Sequence, residues 1–468
     1  MNNRVIWEST TQKKVKDIDK FAEEYIDFIS TGKTERECCD LGVTMLEEAG
    51  YVELSKLIKA GKKLKAGDKV YTTQMNKSIA AFHIGKKPLE EGLNILGAHI
   101  DSPRLDVKQN PLYEDGGFAL FDTHYYGGVK KYQWVTIPLA IHGVVVKKDG
   151  TIVEINIGED EDDPVFFVSD LLIHLAQKQM EKKASEVIEG EALDIIIGNM
   201  PLKASKDEDK KEAVKKNILK LLKSEYDIEE GDFESAELEV VPAGRAREAG
   251  IDRSMILGYG HDDRVCAYPS IRALIDMDAT PERTSCAILV DKEEIGSVGA
   301  TGMRSKFFPN AVAEIINLST DNYSDILLNR CMANSYMLSS DVNAGFDPTY
   351  ADKFEKKNAS YLGNGMALIK FTGSRGKSGS NDANAEYIAK LRKVLDEDKV
   401  IYQTAELGKV DVGGGGTIAY ILALYGMNVI DCGVAVLNMH APWEAISKAD
   451  LYETYLGYKS FLKKIGND

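Results

Sequence analysis

Apolar residues recur at helical spacing over 15–30, where Val15, Ile18, Phe21, Ala22, Tyr25, Phe28 and Ile29 line one side of a predicted helix. Thr34 and Glu37 form a capping box that opens a second helix, running through Leu46 and stopping near Gly50. Short apolar runs at 71–84, 95–98, 286–290, 366–371 and 432–437 read as strands, and 332–338 leads into Ser339, Ser340 and Asp341. Runs such as 286–290 are apolar at every position, as expected of a strand covered on both faces. Helices are predicted over 308–318 and 383–395, after Asp263, and from the four glycines 413–416 through Leu424. Pro269 should shorten or kink the helix after Asp263. Ser447 and Asp450 cap a C-terminal helix with Leu451, Tyr455, Tyr458, Leu462 and Ile465 on one side.

The texture differs in the middle of the chain. Residues 112–128, rich in glycine and aromatics, read as a long loop or hairpin. Residues 134–147 and 151–157 read as antiparallel strands joined by a turn at Asp149 and Gly150. A short helix capped by Ser169 is expected over 170–180, a charge-laden helix over 203–223 and a strand over 233–241. The expectation is an α/β domain, 1–106 and 254–468, interrupted by a β-rich insert, 107–253. A chain of 468 residues is long enough for two cores.

Composition adds exclusions. A hydrophobic content of 44% with 28% charged residues is that of an ordinary globular chain. A net charge of −16 disfavours nucleic acid and anionic membrane as partners. The first forty residues carry no apolar signal core, and no apolar run is long enough to span a bilayer, so a cytoplasmic location is expected. Cys38, Cys39, Cys266, Cys286, Cys331 and Cys432 are scattered, several within apolar runs, and read as reduced core thiols.

The chemistry gathers at strand ends. His99 and Asp101 follow one predicted strand, Glu293 and Glu294 another; Asp341 ends a third, His440 a fourth, and Asp262 and Asp263 precede a helix. Ligands of open α/β sheets bind at these carboxyl ends. Adjacent carboxylates repel unless a cation or proton intervenes. Imidazole with carboxylate and no thiolate favours Zn²⁺, Mn²⁺ or Co²⁺, and this many donors suits two ions sharing a carboxylate and a water. His99 and Asp101, two apart, face the same side of an extended chain, as a carboxylate orienting a ligand imidazole would. His83, His124 and His142 read as structural, and the four glycines as a tight turn.

Five stretches carry a resemblance: Gly97-Ala-His-Ile-Asp-Ser-Pro103, His261-Asp-Asp-Arg264, Asp291-Lys-Glu-Glu-Ile-Gly-Ser297, Ser340-Asp341 and Asn438-Met-His440. In this order, over essentially the whole chain, the sequence resembles the aspartyl aminopeptidase family, metallopeptidase family 18, of cocatalytic di-zinc exopeptidases. The resemblance implies a mixed-sheet zinc-exopeptidase catalytic domain, phosphorylase/hydrolase-like, interrupted by a β-rich dimerisation domain. It implies two Zn²⁺ per subunit, with Co²⁺ or Mn²⁺ as substitutes: His99 and Asp341 on one, Glu294 and His440 on the other, and Asp262 bridging. Asp101 would orient His99, and Glu293 would be the general base. Peptides with a free N-terminus would be the substrates, and self-association to dimers and a dodecamer is implied. Lys370 matches a family lysine that meets an acidic first side chain, and His174 resembles a histidine supplied by a neighbouring subunit. Ala441 stands where the family more often has Ser, and 374–381 is Gly/Ser-rich and basic, unlike the family's usual stretch. An Asp/Glu preference and a broader or neutral one therefore both stand. Two rival readings keep the fold: a related di-metal carboxypeptidase or amide deacylase, and a non-catalytic assembly or cargo protein.

Overall fold

A computed structural model of the chain describes residues 5–203 and 211–467. The chain divides into two compact units, one of Met1–Asp101, Ala246–Met439 and Glu444–Asp468, the other of Ser102–Arg245 and His440–Trp443. The insert expected from sequence runs over 107–253.

The first unit is built on a nine-stranded mixed sheet, in the order Val52–Glu53, Lys69–Gln74, Ser78–His83, Ser285–Val290, Asn94–His99, Tyr336–Ser340, Asn428–Gly433, Met366–Ile369, Tyr402–Ala405. Asn94–His99 is parallel to both neighbours, Ser285–Val290 and Tyr336–Ser340, and the latter is parallel to Asn428–Gly433. Pleating sends alternate residues to opposite faces. Leu96, Ala98, Ala287, Leu289 and Leu338 join one apolar cluster with Phe21, Tyr25, Ile271, Leu391 and Phe461. Ile95, Cys286, Ile288, Val290 and Met337 join another with Phe308, Ile315 and Leu422. Helices thus cover both faces of the central strands, which is why those runs are apolar throughout. A five-stranded sheet, Arg247–Ala249, Met255–Gly258, Glu444–Ser447, Ala435–Leu437 and Asn343–Ala344, completes this unit.

The second unit holds a seven-stranded antiparallel sheet, in the order Ile152–Ile157, Leu139–Val146, Ala236–Pro242, Arg104–Asp115, Phe118–Tyr126, Ile195–Gly198, Phe167–Val168. Asp115 pairs with Phe118 across Gly116 and Gly117, both at positive φ, so the glycine-rich stretch is a hairpin. Among the described residues no helix is long and apolar enough to cross a membrane.

Several local expectations hold. The first helix is Gln12–Thr31, and Thr34 with Glu37 forms the capping box of Glu35–Glu48. Others need correction. The helix His261–Ile275 runs through Pro269 without ending; its non-helical residues are Asp262 and Asp263. The Ser270 hydroxyl, one residue past the proline, donates to the Cys266 carbonyl (2.8 Å). The predicted strand 432–437 is two strands in different sheets, Asn428–Gly433 and Ala435–Leu437, so His440 follows a strand of the smaller sheet. Residues 170–180 form only a 3₁₀ turn, Ile173–Leu175, and one α-turn, Gln177–Met180. Leu171, Leu172, Ile173 and Leu175 are all exposed, so no buried stripe stabilises a longer helix. The charged helix is Ala213–Tyr226; residues 204–210 of the expected 203–223 lie outside the described residues. After the four glycines the helix is only Ala419–Ala423.

Gly433 marks where the chain leaves the large sheet. A Cβ there would lie 2.0 Å from the Asp341 carbonyl oxygen. We expect Gly433→Ala to part the strands under Asp341 and to lower stability by about 1–3 kcal/mol, the usual cost of overpacking. Urea unfolding checks this, and an unchanged midpoint would show that the strands yield freely.

Candidate metal centre

The three parallel strands Ser285–Val290, Asn94–His99 and Tyr336–Ser340 end side by side, with Val290 paired to His99. Residues just past those ends therefore converge, and they are Asp101, Glu293, Glu294 and Asp341. Asp262 and Asp263 join them from the start of His261–Ile275; the peptide between the two is cis.

His99 is buried at the centre. Its Nδ1 donates to the Asp101 carbonyl (3.0 Å). That bond leaves Nε2 as the nitrogen that faces the carboxylates. Nε2 lies 3.1 Å from Asp262 Oδ1, 3.9 Å from Asp341 Oδ1 and 4.0 Å from Glu293 Oε2. Donor atoms of His99, Asp262 and Asp341 all lie within 4.8 Å of one another, as do those of His99, Glu293 and Glu294.

Electrostatics tests whether a cation fits. Burial alone pushes the His99 imidazole down, but hydrogen bonds to Asp101 and Asp262 more than reverse it and raise the ring well above its ordinary value. Burial pushes the Asp341 carboxyl well up, and the charges of Asp262 and Asp263 push it further. Asp263 is raised likewise, by burial and then by Asp262. The carboxylates draw protons into the space that Nε2 faces. A divalent ion there would replace those protons and relieve the repulsion, so the donor set fits zinc.

The backbone holds this geometry. Asp101, fully buried, accepts from the Glu293 amide at Oδ1 and from the Glu294 amide at Oδ2, both at 3.1 Å. It thus fixes the glutamate turn as well as facing His99. Lys292 (φ 68°) and Ser297 (φ 59°) flank that turn in the left-handed region, which non-glycine residues seldom enter. Glu444, also buried, accepts from the Asp262 amide (3.0 Å). The sequence reading missed Glu444; its one signal is an acid in the otherwise apolar run 444–446. His261, despite its place beside Asp262, is a core residue. It bonds Tyr25 through Nδ1 (2.8 Å), and burial pushes its imidazole down to about 3.

The remaining predicted residues are placed as follows. His440 belongs to the second unit, where its Nδ1 donates to the Gly128 carbonyl (2.9 Å); its φ is 65°. His174 is exposed on the 3₁₀ turn Ile173–Leu175. Lys370 is not brought to the cluster. It follows Met366–Ile369, which runs antiparallel to Asn428–Gly433, so it is carried away from the Gly433 end; its Nζ lies 3.4 Å from Asp382.

Comparison with known proteins agrees with this architecture. Residues 28–462 match the family described as aminopeptidase I zinc metalloprotease, M18. A probable M18 family aminopeptidase 1 of Clostridium acetobutylicum is 59% identical over 456 residues, 97% of each chain. The crystal structure of an M18 aminopeptidase from Thermotoga maritima superposes with a TM-score of 0.93 at 47% identity, covering 99% of this chain and 100% of that one. The mApe1 dodecamer of S. cerevisiae shares the fold, with a TM-score of 0.75 at 20% identity, over 97% of this chain and 100% of its own. The mixed α/β chain, with its imidazole and carboxylates gathered at the ends of parallel strands, belongs to the M18 family of zinc metallo-aminopeptidases, hydrolases of peptide bonds.

Proposed function

We propose that this chain removes the N-terminal residue from peptides with a free amino terminus, using two zinc ions and Glu293 as the proton carrier. The observation that carries the reading is the gathering of Asp262, Asp341 and Glu293 oxygens around His99 Nε2. His99 and Asp341 would hold one ion, Glu294 and His440 the other, and Asp262 both; the same donors accept Co²⁺ or Mn²⁺. When bound, the ions polarise the scissile carbonyl and lower the pKa of the attacking water. Glu293 Oε2 takes one proton from that water as its oxygen bonds to the carbonyl carbon. The same oxygen gives the proton to the leaving nitrogen as the C–N bond breaks, so water and peptide become an amino acid and a shortened peptide. Asp101 keeps Glu293 in reach through the backbone amide it accepts from.

We read the first-residue preference as neutral or broad rather than Asp/Glu, because Lys370 faces Asp382 and not the cluster. We also read the second unit as the dimerisation domain. Leu171, Leu172, Ile173, Leu175 and Met180 are exposed together around His174, an apolar patch of the kind that marks an interface. His174 would then complete a partner subunit's site, and dimers would assemble further, as in the yeast dodecamer.

A panel of aminoacyl anilides, with and without chelator, tests the reading. Neutral residues are expected to be released faster than Asp or Glu, with all release lost on chelation. Release only from N-acylated or C-terminal substrates would favour the deacylase or carboxypeptidase alternative, and no release at all the assembly role.

Glu293→Gln is nearly isosteric and cannot take a proton. We expect it to keep its metals and lose at least about 10²-fold in kcat. Dissociated and reassembled with a His174→Ala chain, it should regain partial activity, because some hybrid dimers pair an intact Glu293 with an intact partner histidine. No regain in verified hybrids would confine His174 to its own chain.

Asp262→Asn should lower occupancy of both ions, whereas Asp263→Asn should leave them largely in place. Metal analysis of the two purified proteins decides the register; emptying by Asp263→Asn would shift the bridge by one residue.

A further inference from the structure

Arg264 follows the Asp262–Asp263 pair and is 1% exposed. A guanidinium cannot shed its charge, so burying one is costly unless it is well partnered. Its partners here include two backbone carbonyls from distant segments. Nε donates to the Ile100 carbonyl (3.3 Å), and Nη2 donates to the Lys33 carbonyl (2.9 Å). The guanidinium carbon lies 5.3 Å from the centre of the Tyr259 ring, and the Cys38 thiol is a further hydrogen-bond neighbour.

Ile100 is the residue between His99 and Asp101. The peptide whose oxygen Arg264 holds therefore links the central imidazole to the carboxylate that fixes the Glu293–Glu294 turn. Hydrogen bonds that hold this stretch include His99 Nδ1 to the Asp101 carbonyl, the Ile100 amide to the Val290 carbonyl, the two glutamate amides to the Asp101 side chain, and Arg264 to the Ile100 carbonyl. The His99 Nε2–Asp262 contact (3.1 Å) joins this stretch to the helix that begins with Asp262 through side chains that face the cluster; Arg264 joins the same two elements by way of the Ile100 backbone, and through Lys33 reaches the segment just before Glu35–Glu48.

We propose that Arg264 is a positioning residue for the metal centre. It holds His99 and Asp262 in register with each other while the ions are absent, and so sets metal affinity without touching substrate or metal. One feature separates this from ordinary core packing: the contacts are directional N–H donations to backbone oxygens, which an apolar side chain of equal volume cannot replace. Lysine keeps the charge but not the planar fork, so it cannot reach both carbonyls with the same geometry.

The proposal rests on the zinc-site reading above, and its test does not depend on turnover. Metal affinity of Arg264→Met, Arg264→Lys and the parent is measured by competition with a chromogenic chelator, using Zn²⁺ alone on the full chain. Removing support from around metal ligands commonly costs 10–100-fold in affinity. We expect about that loss in Arg264→Met and a smaller one in Arg264→Lys, with KM at saturating zinc close to the parent's. If Arg264→Met fails to fold, Arg264→Lys carries the test. Zinc affinity within about twofold of the parent in every folded variant would overturn the proposal, as would a raised KM at saturating zinc with affinity unchanged. A parent that binds no zinc would instead remove the metal-centre reading on which it rests.

Discussion

Carboxylates brought together away from water repel, and much of the first unit is arranged to keep them together regardless. Asp262, Asp263 and Asp341 each face another acid, and burial with mutual repulsion raises Asp263 and Asp341. Left to themselves such groups would protonate or move apart. The chain prevents separation by placing Asp341 at the end of a parallel strand and Asp262 and Asp263 at the start of the helix His261–Ile275, over strands whose sides are fully packed, Ile95 and Leu96 among them. Divalent ions then become the natural compensation, and the repulsion that destabilises the metal-free site becomes affinity for them.

The means of holding is the main chain more than the side chains. Asp101 binds two consecutive amides, and Glu444 binds the Asp262 amide. Both contacts fix backbone, while the oxygens of Asp262, Asp341 and Glu293 gather around His99 Nε2. A side chain that clamped those oxygens directly would compete with the ions.

Much of this was legible in the sequence because it is local. Apolar runs ending in Asp, Glu or His announce buried strands that deliver polar groups, and the capping box at Thr34 is written in four residues. What was not legible depends on distant partners. Lys370 ends an apolar run just as Asp341 does, yet its strand runs the other way in the sheet, and strand direction is set by neighbours far along the chain. At the break between Asn428–Gly433 and Ala435–Leu437, Gly433 lets the Asp341 carbonyl approach where a Cβ would sit, a contact with a residue far back in the chain. Residues 170–180 alternate like a helix but have no face to bury, so only single turns form. Pro269 was expected to shorten or kink its helix because a sequence window does not show the packing around it.

Strain is the remaining cost of the arrangement. Lys292, Ser297 and His440 all adopt left-handed φ values without being glycine, at 68°, 59° and 65°. Such conformations cost roughly 1–3 kcal/mol each and persist only where the surroundings over-determine them. Glycine at 292 or 297 would relieve the turn, but it would also let Glu293 and Glu294 swing, because glycine has many conformations to lose. A lysine held at positive φ by two amide bonds to Asp101 on its C-terminal side has little freedom left. The sequence at 292 thus exchanges some stability for a fixed direction of the two glutamates, which the roles proposed for Glu293 as proton carrier and Glu294 as ligand would need more than a relaxed backbone.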